Sequence, residues 1–356
     1  MALTRRGRIV VSVVGALALV AVGGIALALT GHAPRVIQQA VDKVTGEEHA
    51  PAPPPPTCPL TGKPAPGGEV PRRPVLAVKV ENTPDAYPLA GLQTADVVYE
   101  ELVEGGITRF MALYQCKDAK KVGPVRSART TDPKVLIQYD PQSLIAYSGG
   151  QLAVVNDVER SGLVSFDEGS GGDAFWRDTE RYEPHNLFLN TAKLRAKSAK
   201  QTAGEGPPRR LFPFDAALPA AGKHVSRVSM SFSYSVTATW QWDKGTGRWQ
   251  RMYEDAPMVL DTGAPITAAN VIIQQVVVTE GDLVDVLGYH SPEVTLTGSG
   301  KAWILRNGML IAGTWTRPVM GAVTKFVTKT GDIIPLAPGN TWIELVAKGT
   351  PPTVTK

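Results

Sequence analysis

The run Ala95-Asp96-Val97-Val98-Tyr99-Glu100-Glu101-Leu102-Val103 has two readings. Its β-branched start favours a strand. Glu100, Glu101 and the nearby Glu104 pull it towards a helix. The segments around it are clearer. Pro74-Val75-Leu76-Ala77-Val78-Lys79-Val80 reads as a buried strand, and residues 108–115 as another. Further out, the spacing predicts helices over residues 131–139 and 152–161, a strand over 143–147 and a basic surface helix over 191–200. Strands alternating with helices predict a mixed α/β N-terminal ectodomain over residues 57–205.

Gln201-Thr202-Ala203-Gly204-Glu205-Gly206-Pro207-Pro208 breaks this pattern, and residues 206–222 read as a linker rich in turn formers. Beyond it, alternating runs dominate residues 226–242, a turn follows at 243–247, and residues 271–279 form a strong strand. Asn307-Gly308 between two apolar runs signals a hairpin. Residues 325–329 and 342–346 complete a mainly antiparallel β C-terminal domain over 223–356, so the overall class is α+β. Six of the seven tryptophans fall here, as core or as a carbohydrate-stacking surface.

The N-terminus speaks to location. Residues 9–29 run without a charge, long enough as a helix to cross a bilayer, behind Arg5, Arg6 and Arg8 in a tail of residues 1–8. The positive-inside rule keeps that tail cytoplasmic and exports the rest. A single-pass signal-anchor and a cleaved signal peptide both fit, and both place the main body outside the cytoplasm. Residues 30–56 form a Pro-rich stalk, extended where the prolines run together. Outside the cytoplasm the two cysteines, Cys58 and Cys116, suggest a disulfide.

Composition excludes several functions. The 356 residues carry a formal net charge of +4, most of it from the three N-terminal arginines, so nothing points to nucleic acid. Five scattered histidines have no metal-ligand spacing, and no cofactor motif is present. Gly298-Ser299-Gly300-Lys301 lacks the upstream glycine of a phosphate-binding loop, and Lys329-Thr330-Gly331 has no Ser-x-x-Lys partner.

What remains is a polar set in the first segment. Arg126 and Arg129 precede a predicted helix, where two guanidinium forks suit a phosphate or carboxylate. Arg109, Gly149, Gly150 and Asn186 join them as ligand-binding candidates, the glycines offering bare N–H groups before a helix. Glu100, Glu104 and His185 are the candidate acids and bases. Equally, the arginines fit internal salt bridges to Glu100, Glu104 or Asp132.

These residues also carry a resemblance. Pro59-Leu60-Thr61-Gly62, Glu81-Asn82, residues 91–110 (GLQTADVVYEELVEGGITRF), 123–129 (GPVRSAR) and 184–188 (PHNLF) resemble the YerB-like lipoproteins, as do residues 270–274 and 339–343. The resemblance implies a membrane-attached protein on the outer face of a Gram-positive-type cell, built from two domains of unknown function. No cysteine follows the apolar run closely enough for lipidation, so a transmembrane helix is expected instead. The function expected is that of a cell-envelope protein binding an anionic envelope ligand or a wall-synthesis partner. The alternative is a phosphotransferase or hydrolase of a phosphorylated, lipid-linked precursor, loosely similar to LytR-CpsA-Psr enzymes.

Overall fold

The ambiguous run forms a strand, and it lies in the middle of the protein's main sheet. The computed structural model describes residues 54–356 except 140, 141 and 220. Along the chain the strands are β1 (Leu76–Asn82), β2 (Val97–Leu102), β3 (Thr108–Tyr114), β4 (Leu144–Ala146), β5 (Val164–Phe166), β6 (Phe175–Arg177) and β7 (Leu187–Leu189). After them come β8 (Lys223–His224), β9 (Arg227–Ser231), β10 (Thr237–Asp243), β11 (Arg248–Tyr253), β12 (Ala256–Pro257), β13 (Thr267–Ala268) and β14 (Asn270–Val284). The last are β15 (His290–Thr295), β16 (Gly298–Arg306), β17 (Met309–Arg317), β18 (Lys325–Val327), β19 (Thr341–Ala347) and β20 (Thr353–Thr355). Helices α1 (Thr131–Leu136), α2 (Leu152–Arg160), α3 (Glu168–Gly171) and α4 (Thr191–Ser198) are short.

The main sheet has the order β18-β17-β16-β14-β19-β2-β3-β1-β4-β5, with β15 beside β14 and β8 beside β17. Strands before and after residues 206–222 therefore share one sheet. The join is β19, which runs parallel to both neighbours, pairing Thr341–Leu345 with Val97–Glu101 of β2 and Asn270–Val276 of β14 with its full length. A smaller sheet, β12-β11-β10-β9-β20 with β13 beside β11, packs on one face of the main one. The mixed, sheet-rich architecture is α+β in character.

Both faces of the main sheet are buried, as the near-continuous apolar runs of β1 and β3 require. On one face, Leu76, Val78 and Phe110 meet Trp240 and Trp249 of the small sheet and Trp342 of β19. The Trp342 ring lies 5.1 Å, centroid to centroid, from both Phe110 and Trp240. On the other, Ala77, Tyr99 and Met111 pack against α1 and α2 through Val135, Leu136, Val154 and Val158. Trp240, Trp249, Trp315 and Trp342 are fully buried, so most tryptophans of the second segment are core. The Asn307-Gly308 turn has positive φ at both residues, as a tight two-residue hairpin demands.

Cys58 and Cys116 are bonded to each other, with Cα atoms 6.0 Å apart. The bridge ties the start of the described chain to the end of β3, and closing a loop of that length contributes about 4 kcal/mol in the chain-entropy treatment. The apolar run at residues 9–29 and most of the stalk lie outside the described residues. Among the described residues no helix is long and apolar enough to cross a membrane.

The parallel join sets Glu344 opposite Glu100 in the interior, both fully buried. Arg251 of β11 reaches between them, its Nη2 2.8 Å from Glu100 Oε2 and its Nη1 3.3 Å from Glu344 Oε1. Trp240 Nε1 donates to Glu344 at 2.7 Å, and Thr108 Oγ1 to Glu100 at 2.7 Å. Burial pushes the Glu344 carboxyl well above its usual range, and Glu100 adds to this against the pull of Arg251. Arg251→Met is expected to cost about 3–5 kcal/mol in urea unfolding, because it removes the one cation from two buried glutamates. Adding Glu100→Gln and Glu344→Gln should recover part of that loss.

Candidate functional site

Residues 123–130 continue the sheet where β4 stops. Glu81 N–H donates to Pro124 O at 2.9 Å and Arg126 N–H to Lys79 O at 3.0 Å, so the segment runs along the end of β1. Its other side meets the turn before α2, where Ser148 N–H donates to Arg126 O and Ala128 N–H to Gly149 O. Gly123 permits the entry: its φ is +145°, and a Cβ there would lie 2.8 Å from Leu187 O. This path carries Arg126 and Arg129 over the end of β1 and β3. Arg109, on β3, lies opposite Glu81 of β1 on one side and Glu101 of β2 on the other.

Each arginine has a different environment. Arg126 Nε is 3.3 Å from Glu81 Oε1, an ion pair without hydrogen-bond geometry. Arg129 donates from Nε to Glu104 Oε2 at 2.8 Å, and its backbone N–H donates to Asp132. Arg109 is 7% exposed, and among the described residues its Nε and Nη1 have no hydrogen-bond partner. Burial lowers its pKa to about 9, with Arg129 and Arg126 pushing the same way and Glu104 and Glu81 opposing. A buried guanidinium whose neighbours include two further guanidinium groups is costly unless an anion comes to it.

Around this group the remaining charges are spoken for. His185 Nδ1 lies 2.9 Å from Glu81 Oε2, so Glu81 links His185 to Arg126. Burial raises the Glu104 carboxyl, but Arg129 and the Ser291 hydroxyl outweigh it and hold the pKa below its usual value. Lys79, fully buried on β1, pairs with Glu101 and, at 2.7 Å, with Asp132. Desolvation beside Glu101 pushes Asp132 upward despite the lysine.

The sequence-predicted residues therefore divide. Arg109, Arg126, Arg129, Glu104 and His185 come together at one end of the central strands. Gly149 and Gly150 form the neighbouring turn, both exposed, with Gly149 O held by Ala128. Asn186 is engaged elsewhere: its Oδ1 accepts from Arg177 at 2.8 Å. Glu100 faces the opposite side of the sheet, in the Arg251 network. Strand alternation is the reason, since Glu100 and Glu101 are consecutive on β2. Glu81, which the sequence offers beside Asn82, joins the cluster between Arg126 and His185. Glu101, Lys79 and Ser291 were not foreseen as parts of it, and a lysine inside the apolar run at 75–80 was the available signal for the first two. Among the described residues, no group of His, Cys, Asp and Glu has a metal-binding arrangement.

Two DUF3048 segments account for this architecture. Residues 60–204 match the N-terminal domain, and residues 228–343 the C-terminal domain, of the family described as protein of unknown function DUF3048. The chain belongs to this family. It is 32% identical over 299 residues, 81% of this chain and 86% of the relative, to the "Putative lipoprotein YerB" of Bacillus subtilis (strain 168). The crystal structure of YerB from Bacillus subtilis superimposes with a TM-score of 0.72 at 26% identity, covering 85% of this chain and all of that one.

Asp96 sits at the far end of β2 and accepts from the N–H groups of Gln115 (2.6 Å) and Cys116 (3.2 Å). Burial outweighs these bonds and raises its pKa to about 6. The unfolded carboxyl titrates near 3.9, so the folded state holds a proton that the unfolded state has lost in between. The stability from this residue is complete below about pH 4 and is lost as pH rises through about 6. Chemical denaturation across pH 4–7 should show a decline of about 2–3 kcal/mol attributable to it, flattened in Asp96→Asn.

Proposed function

We propose that this is an extracytoplasmic, membrane-associated envelope protein that binds a phosphate- or carboxylate-bearing envelope ligand at the Arg109–Arg126–Arg129 cluster. The observation that carries the reading is the buried Arg109 guanidinium, which among the described residues has no hydrogen-bond partner at Nε and Nη1 and lies beside two other arginines. A bound anion would supply the missing acceptors and offset the mutual repulsion. Arg126 and Arg129, each tied to one carboxylate, keep donors for the same ligand, and Ser291 and Glu104 hold Arg129 in place.

The location rests on the uncharged run at residues 9–29 behind three arginines, on the disulfide, which suits an oxidising compartment, and on the lipoprotein name of the relative. Both cysteines are used in the bridge, so the attachment we propose is the apolar run itself. The phosphotransferase alternative draws on one observation, the His185–Glu81 pair beside Arg126, which has the geometry of an oriented acid or base.

Arg109→Met tests the ligand reading. Inorganic phosphate titrated into the purified protein should bind the wild type and bind the variant at least tenfold more weakly, while the variant melts no earlier. Earlier melting with unchanged phosphate binding would make Arg109 a structural residue. For the location, protease added to wall-stripped cells should degrade residues 57–356 while cytoplasmic proteins survive, and full protection would overturn it.

A further inference from the structure

On β16 and β17, Trp303 lies directly opposite Ala312, so both side chains share one face of the main sheet. The methyl group leaves the indole uncovered on that side. Two pairs further along the hairpin, Leu305 and Leu310 lie on the same face and are buried. The small sheet covers them and ends with its edge strand β20, whose Val354 borders the uncovered region and is 42% exposed. The outer edge of β17 is paired with β8 at Met309 and Leu310 and with β18 from Thr314 to Thr316. Residues 311–313 lie between these two pairings. Gly222 closes one wall: a Cβ there would stand 3.2 Å from Ile311 Cγ1.

The result is a groove of about 700 Å³ between the end of the main sheet and the edge of the small one. That volume falls within the range of ligand cavities, roughly 300–1,000 Å³. Its floor is apolar, with Trp303, Leu310 and Ala312, while its rim carries Lys223, His224, Lys329 and Lys356, and among the described residues no acidic side chain lines it. Asp332, close by in sequence, accepts the Thr330 hydroxyl at 2.6 Å.

We propose that this groove binds an anionic lipid, with an acyl chain along Trp303 and Ala312 and the headgroup phosphate on Lys223 and Lys329. The charge pattern selects this occupant. A free phosphate would use the rim and leave the apolar floor wet, and a neutral amphiphile would leave the lysines without a counter-charge. The groove does not involve the Arg109 cluster, so it stands or falls independently of the proposed anion site.

The test uses the full-length protein in phosphatidylcholine vesicles that contain a few per cent of a phosphatidylglycerol with a photoreactive acyl chain. Irradiation and peptide mass spectrometry should place adducts on residues 303–312 and 222–225. Photoreactive phosphatidylcholine of the same chain should label these residues at least fivefold less. Ala312→Trp, which fills the floor, should reduce the adducts at least tenfold with the melting temperature kept. Lys223→Glu with Lys329→Glu should reduce them severalfold, and excess inorganic phosphate should not compete. Equal labelling by the two lipids, no effect of either variant, full competition by phosphate, or adducts confined to other residues would each overturn the proposal.

Discussion

The parallel pairing of β19 with β2 is the constraint on which the rest of the structure depends. It inserts a strand from the end of the chain beside one from its first third and makes a single sheet of two segments. It also fixes a register in which two glutamates meet away from water. That arrangement is tolerable only because a third residue, Arg251, arrives from the small sheet with a positive charge. The small sheet is thus held over the seam by an ion pair as well as by the packing of Trp240 against Trp342.

The same strands separate two kinds of polar chemistry. On the face towards the small sheet, the two buried glutamates share the Arg251 guanidinium and accept from Trp240 and Thr108. On the face towards the helices, Lys79, Glu81, Glu101 and Glu104 each have an ion-pair partner, whereas among the described residues Arg109 has no hydrogen-bond partner at Nε or Nη1. A buried full charge left without a direct partner retains unmet interaction energy at a defined place. That difference, more than the number of arginines, singles out the helix-side cluster as the candidate site.

Much of this was legible in the sequence, for physical reasons. The strand at β1, the helix starts at residues 131 and 152 and the Asn307-Gly308 hairpin are governed by local patterning, and each appears within a few residues of its expected place. The Cys58–Cys116 bridge followed from compartment and count. The run at β2 was ambiguous because its glutamates suggest solvent, while the fold buries both with partners distant in sequence, Arg251 for Glu100 and Lys79 for Glu101. No local pattern announces that β19 pairs with β2, since register between strands so far apart is set by packing after both have formed. For the same reason Ser291 could not be connected with Glu104 in advance.

The parallel join bears on how this chain could be divided. The family matches end at residue 204 and resume at 228, which invites treating the segments as separable modules. Without β19, however, the first segment would expose the edge of β2 along an apolar sheet, and the second would expose the matching edge of β19. Unpaired edges of that kind seek another strand. A chain nicked near residue 204 would therefore behave as two complementary fragments that must find each other, and each half supplied alone would be a candidate for aggregation or for capture of its missing half from another copy.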